Sequence, residues 1–221
     1  MLKCDLHVHS NFSRDGESSI DEILQRAEEA GLDAIAITDH DTMEGYRLAS
    51  SANSRVLVIP GIEVSTRHGH IIVLGIDRPL PPRRDVRETI VEAQVMGGLV
   101  ILPHPYHMWR HGVARKVRGI LRMVDAVEAF NSRYIVGTAN RKAAQMAQRY
   151  RKPCVGGSDA HNARFVGFGV TYIQAEPTVQ SILQAIREGH TIAGCRMTPL
   201  RTYTRQSLRS VLWKVRRRVR L

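Results

Sequence analysis

Thiols are scarce in this chain of 221 residues: its three cysteines, Cys4, Cys154 and Cys195, stand far apart and never in a C-x-x-C spacing. That argues against a disulfide framework or a thiolate zinc knuckle and fits a reducing, cytoplasmic compartment. Long hydrophobic runs are missing too. No stretch approaches the roughly 18 apolar residues expected of a membrane span, and the opening "MLKCDLH" has no apolar signal-peptide core. Three common signatures are also absent, namely the Gly-x-Gly-x-x-Gly turn, the Gly-x-Ser-x-Gly elbow and the P-loop. Any hydrolytic chemistry here is expected to proceed without a serine or cysteine nucleophile. No internal repeat is seen, and no low-complexity stretch precedes residue 196.

What the chain does have in excess is positive charge, with a formal net of +11. Nine Lys/Arg and no acid fall between Arg196 and Arg220, so residues 1–195 carry only +2. The expected organisation is one domain over 1–195 and a basic tail over 196–221. On a helix, Leu208, Val211, Leu212, Val215 and Val219 would form one apolar stripe with most basic side chains opposite. That pattern suits an anionic membrane surface (a peripheral attachment), contact with RNA phosphates, or docking onto the domain.

Hydrophobic residues make up 43% of the chain, enough for one sizeable core. Short apolar runs alternate with segments of helical period. "LKCDLHVH" reads as a strand, and "SIDEILQRAEEAG" as a helix with Ile20, Ile23, Leu24 and Ala27 on one face, Ser18 or Ser19 as cap and Gly31 at its end. The alternation continues through "DAIAIT", "VLVIPGIEV", "HIIVLGI", "LVILPHP", "AVEAFN", "CVGGSDA" and "GVTYI", with helices expected near 42–52, 85–96, 114–124, 138–151 and 178–188. Seven or so β/α units with apolar strands predict an α/β fold with a parallel sheet closed into a barrel.

The apolar runs end in a consistent chemistry. They lead into Asp39–His40–Asp41, Glu63, His104, Asn131 and Asp159–Ala160–His161. In a parallel barrel these ends share one rim, where the active site forms. On an extended strand, Asp5, His7 and His9 point one way, so "HVH" aims both imidazoles at one centre, and Asp5 could orient a ligand histidine. Imidazole with carboxylate suits zinc, manganese or iron, and a bridging Glu63 would allow a two-ion site. Each residue alone has a plainer explanation. Asp39 and Asp41 could cap the next helix, Asp15 could be a turn residue, and a strand-end histidine is usually structural. Recurrence at five strand ends is what those explanations leave out.

"DLHVHSNFSRDG", "AITDHDT", "PGIEVS", "LPHP" and "GGSDAH" resemble, in order, the motifs of the PHP (polymerase and histidinol phosphatase) superfamily, and most of all its small stand-alone metal-dependent phosphoesterases. The resemblance spans residues 4 to about 195. It implies a distorted (β/α)7 barrel with two or three divalent ions at the strand carboxyl ends. Carried over by position, His7, His9, Glu63 and Asp159 would hold one ion. Glu63 would bridge to a second that takes His104. Asp15, His40 and His161 would hold a third. Where some relatives place a histidine on the second ion this chain has Asn131, a weaker ligand or a substrate contact. His70 matches a histidine often seen in this subgroup and is expected in the pocket.

The chemistry so implied is in-line attack on phosphorus by a metal-bridging hydroxide, with His104 or His70 protonating the leaving oxygen. Arg133 and Arg164 are candidates to hold a second phosphate or the nucleotide body. The expected substrate is a nucleoside 3′,5′-bisphosphate or a short oligonucleotide, with histidinol phosphate or another small monoester as the alternative. A different class of function is a metal-stabilised binding module that works through its basic tail.

Overall fold

The structure is a computed structural model describing residues 1–106, 112–133 and 137–195. The basic tail therefore lies outside the described residues. In chain order the elements are β1 (Leu2–Val8), α1 (Ile20–Glu29), β2 (Ala34–Ile37), α2 (Glu44–Ser50), β3 (Leu57–Ser65), β4 (His70–Leu74), α3 (Val86–Val95), β5 (Leu99–Leu102), α4 (Ile120–Met123), β6 (Ala126–Asn131), α5 (Thr138–Arg149), β7 (Cys154–Gly157), β8 (Gly169–Ile173), α6 (Val179–Glu188) and β9 (Thr191–Cys195).

Local chemistry explains where several elements begin and end. Ser19 caps α1 through a reciprocal capping box with Glu22, and Gly31 follows its end at φ 64°. The expected face of α1, Ile20, Ile23, Leu24 and Ala27, is buried. Asp85 and Thr178 cap α3 and α6. The helix expected over 114–124 is instead interrupted, because Gly119 sits at φ 81° and α4 starts only after it.

The nine strands form one sheet in the order β7-β6-β5-β4-β3-β2-β1-β8-β9. β1, β2 and β3 are mutually parallel, as are β5, β6 and β7. The sheet departs from the all-parallel expectation at β4 and at β8, each antiparallel to both of its neighbours. The β4 reversal has a simple cause. Only residues 66–69 separate β3 from β4, too few for a parallel crossover, which needs a dozen or more. One consequence matters for function. His70 opens β4 and pairs with Ser65 at the end of β3, so reversal puts it on the rim with the parallel strands' carboxyl ends.

The sheet curls until its β7 side meets β1 and is nearly closed. Val8 bridges to Ala160, and the His9 amide donates to the Ala160 carbonyl at 2.8 Å. Asp5 reinforces the seam by accepting from the Ser158 amide at 3.0 Å and the Gly167 amide at 2.9 Å. Three buried apolar clusters then attach helices to the sheet. Ile182 and Ile186 of α6 pack with Leu6, Ile59 and Ile72. Ile23 and Leu24 of α1 pack with Val8 and Ile35, and Ile90 of α3 with Val73 and Val100.

Closure requires glycine at 157. A Cβ there would lie 2.6 Å from both Glu128 Oε1 and His7 Cβ. Gly157→Ala should destabilise the fold by about 1–3 kcal/mol through overpacking, lowering Tm by roughly 2–4 °C per kcal/mol at this size. Calorimetry on the purified variant checks this.

Candidate metal centre

The rim gathers ligand-type side chains from seven strands, β1 to β7, and the loops beside them. His7, His9, Glu63, His104, Asn131, Asp159 and His161 are each no more than 5% exposed. Glu63 is the hub. Its Oε2 lies 3.4 Å from His7 Nε2, 3.2 Å from His9 Nε2 and 3.4 Å from His40 Nδ1. Its Oε1 lies 3.1 Å from His70 Nδ1 and 3.0 Å from His104 Nε2. Asp159 Oδ1 stands 3.8 Å from both His7 Nε2 and His9 Nε2 and 3.4 Å from His161 Nδ1. Asp15 Oδ2 reaches His161 Nε2 at 3.2 Å and His40 Nε2 at 3.7 Å. Four overlapping groups have ligand atoms within 4.8 Å of one another: His9, Asp15, His40 and His161; His7, His9 and Glu63; His7, His104 and Asp159; and His40, Glu63 and His70.

These groups fit divalent ions on several counts. Ligand atoms roughly 2.0–2.2 Å from a shared ion stand about 3–3.6 Å apart. His7 Nε2, His9 Nε2 and Glu63 Oε2 are spaced at 3.1, 3.2 and 3.4 Å. His40 Nδ1 and His104 Nδ1 are buried ring nitrogens without a hydrogen-bond partner. Protonation also fits. Burial, with the neighbouring His161 ring, lowers the pKa of His9; burial lowers that of His40 to about 4; burial, with Arg133, lowers that of His161. These three rings are neutral at pH 7 and keep lone pairs for a metal. Burial alone would raise Glu63 and Asp15, but the imidazoles facing them prevail and hold both carboxyls below the usual range.

His7 is the exception. Burial opposes its charge, yet Glu128, Asp159 and Glu63 outweigh that and hold its pKa well above the histidine range. A cation at His7 Nε2 must therefore displace a proton.

The neighbours of the cluster hold it in register. His7 Nδ1 meets Glu128 Oε1 at 2.8 Å, while Glu128 Oε2 accepts from the His104 amide at 2.7 Å and from Asn131 Nδ2 at 2.9 Å. Glu128 was not singled out in the sequence. It lies inside an apolar strand, three residues before Asn131, and regular alternation would put those two on opposite faces. An irregularity between Glu128 and Phe130 lets both face inward. A carboxylate inside "AVEAF" was the available signal. Ser13, also missed, is buried beneath the rim, its Oγ accepting from the His40 amide at 2.8 Å and lying 3.2 Å from His9 Nδ1.

Other candidate residues are placed differently from expectation. Asn131 turns its Nδ2 to Glu128 and to Asp159 Oδ2 (3.2 Å), and its Oδ1 accepts from the Arg133 amide at 2.9 Å. It thus presents a donor to the cluster. Arg133 is 8% exposed, with Nη1 3.0 Å from Asp159 Oδ1 and against the His161 ring. Arg164 is exposed, bonded to Asn162 and lying over Phe165. Asp5 accepts from the Ser158 and Gly167 amides, and among the described residues no hydrogen bond joins it to an imidazole. Neither acid caps α2, which begins without a side-chain cap. Asp39 accepts from the Ser10 amide and hydroxyl at 2.7 and 2.6 Å, and Asp41 from the Ser65 amide at 2.7 Å. Asp41, His104 and Asp159 hold positive φ of 60°, 29° and 51°, strained backbone concentrated at the rim.

A nearly closed α/β barrel with overlapping buried His/Asp/Glu groups on one rim is the architecture of a metal-dependent hydrolase, and known proteins narrow it. A family model described as PHP-associated matches residues 137–191. An uncharacterized protein of Methanocaldococcus jannaschii is 32% identical over 154 residues, covering 64% of this chain and 89% of the relative. A 3′,5′-nucleoside bisphosphate phosphatase of Chromobacterium violaceum is 38% identical over 87 residues, covering 37% of this chain and 30% of that protein. In structure, a two-domain Bacteroides vulgatus protein containing a predicted PHP-like metal-dependent phosphoesterase superposes with TM-score 0.73 at 22% identity, over 88% of this chain and 65% of the other. The chain belongs to the PHP superfamily of metal-dependent phosphoesterases. Among the described residues no helix is long and apolar enough to cross a membrane.

Loss of the Glu128 contact to His7 should weaken metal binding roughly 10–100-fold. Competition of Glu128→Gln and wild type against a chromophoric chelator measures this. Because a metal displaces the His7 proton, affinity for Mn²⁺ should rise with pH between pH 5 and 8, and should collapse near pH 4 as His40 also protonates. Titration calorimetry in two buffers of different ionisation enthalpy reports both the affinity and the released proton.

Proposed function

We propose that this chain hydrolyses a phosphoester bond in a small nucleotide, such as a nucleoside 3′,5′-bisphosphate, or in a short oligonucleotide. The observation that carries this reading is the sharing of His7, His9, His40 and Glu63 among the overlapping ligand groups, an arrangement suited to adjacent ions and not to one isolated ion. The matched phosphatase supports the nucleotide as substrate, although the chain spans less than a third of its length.

In this reading His7, His9, Glu63 and Asp159 would hold one divalent ion, Glu63 and His104 would contribute to a second, and Asp15, His40 and His161 would hold a third. Manganese, zinc or iron all suit this donor set. Such ions, when bound, neutralise phosphoryl oxygens and acidify a water into a nucleophile near neutral pH. The chain's own side chains do the rest. Glu63 keeps a proton on His70, whose pKa is raised by that carboxylate in spite of burial. His70 is 13% exposed and His104 only 4%, so His70 is the better placed to protonate the leaving oxygen. Arg133 holds Asp159 in place and offers its guanidinium to a phosphate oxygen, whereas Arg164 is exposed and engaged with Asn162 and Phe165.

Mn-loaded wild type should hydrolyse phosphomonoesters or diesters in a screen of nucleotides and should lose turnover on chelation. His9→Ala and Asp159→Ala should each lower kcat/KM by more than about 100-fold, beyond the ~10–100-fold typical of outer-shell partners. Turnover that survives both substitutions and chelation would sink the reading.

A further inference from the structure

The near-neutral balance of residues 1–195 conceals a segregation of charge. Between 113 and 152 the sequence holds ten Lys/Arg and only two acids. Both acids are turned to internal tasks: Glu128 to His7, and Asp125 to the Val100 amide at 2.8 Å. One of the ten cations is Arg133 at the metal centre. The other nine lie on the turn before α4, on α4, on α5 and just after it, and none forms an ion pair with a described residue.

These cations are ordered by the fold. Lys142 Nζ stands 4.7 Å over the Tyr106 ring, and the Arg122 guanidinium 5.7 Å over Tyr150. Lys152 Nζ donates to the Arg122 carbonyl at 3.2 Å, tying the segment after α5 to α4. The strip starts at the rim. Tyr106 is two residues past His104, and Asn140 of α5 is bonded both ways to the Asn131 backbone. From there α5 runs for 12 residues, about 18 Å, down the outside of the barrel.

We propose that this face of α4 and α5 binds the backbone of a single-stranded nucleic acid and delivers one of its phosphoesters to the metal centre. The proposal rests on the phosphoesterase reading and sharpens its substrate to a strand longer than the site alone can grip. Cations without an ion pair among the described residues, spread over about 12 Å of α5 and continued by those of α4 and the segments beside both helices, match a line of phosphates. A membrane surface would pair them with exposed apolar side chains. The exposed large hydrophobics among the described residues are Met1, Phe12, Leu48, Val91, Val95, Tyr172 and Ile192, none of them on α4 or α5.

The test uses the full chain, Mn-loaded and with its tail intact, and a fluorescent phosphorothioate oligouridylate of about 20 nucleotides as a slowly cleaved probe. For Arg141→Glu/Lys142→Glu/Arg149→Glu, Kd at ~100 mM NaCl should rise at least tenfold and the slope of log K against log salt should flatten by about 2. Turnover of bis-p-nitrophenyl phosphate should stay at the wild-type level. Arg115→Glu/Lys116→Glu should act in the same direction, and Arg141→Lys/Arg149→Lys should retain binding. Unchanged Kd and salt slope in both charge-reversed variants would overturn the proposal. So would unchanged RNA binding with loss of association to phosphatidylserine vesicles. Patch-dependent RNA binding by a protein that hydrolyses no phosphoester would retire the hydrolase reading while leaving the nucleic-acid surface in place.

Discussion

Five imidazoles face the two oxygens of one buried carboxylate, Glu63, at 3.0 to 3.4 Å. A buried carboxylate is costly unless cations or donors surround it, and a cluster of imidazoles is costly unless something shares their protons or lone pairs. Each solves the other's problem only if all six groups arrive together. His7 and His9 come from β1, His40 from the end of β2, His70 from β4 and His104 from the end of β5. The barrel has to close, and close in one register, for Glu63 to be tolerated at all. The same mutual dependence leaves lone pairs converging where divalent ions fit.

Much of the remaining structure secures that closure. Gly157 lets β7 approach His7 and Glu128 at a distance no side chain could occupy. Asp5, buried and with its pKa raised to about 6 chiefly by desolvation, ties β1 to the Ser158 and Gly167 amides. Asp39 locks Ser10 just beyond His9, and Glu128 joins His7, His104 and Asn131. Polar residues that look like caps or ligands in the sequence are thus the clamps of the rim. Rigid positioning of this kind is what a metal-dependent hydrolase needs from its fold, because the ions' reactivity depends on how ligands are held.

The legible part of the site was the part written in short-range pattern. "HVH" and "DAH" are spaced for ligands, and each apolar run announces its own end, so His7, His9, His40, Glu63, His104, Asp159 and His161 could be named before any fold was known. Glu128 escaped because its inward orientation depends on a local irregularity in β6. Arg133 and Arg164 looked alike as loop arginines, yet one is buried against Asp159 and the other lies on the surface. The sign of Asn131's contribution, an N–H donor toward two carboxylates, follows from the positions of Glu128 and Asp159 and from the Arg133 amide, all set by other strands.

By itself the sequence determined the alternating strands and helices, the capped start of α1, and the list of metal-ligand candidates, since all of these depend on neighbours within a few residues. Only the tertiary structure decided that β4 and β8 run against the rest, and that reversal of β4 puts His70 on the rim. It also decided which acids serve backbone amides and which serve imidazoles, and it left nine of the ten cations of 113–152 without an ion pair among the described residues. Those outcomes depend on barrel closure, which brings together residues more than a hundred positions apart and has no local signature.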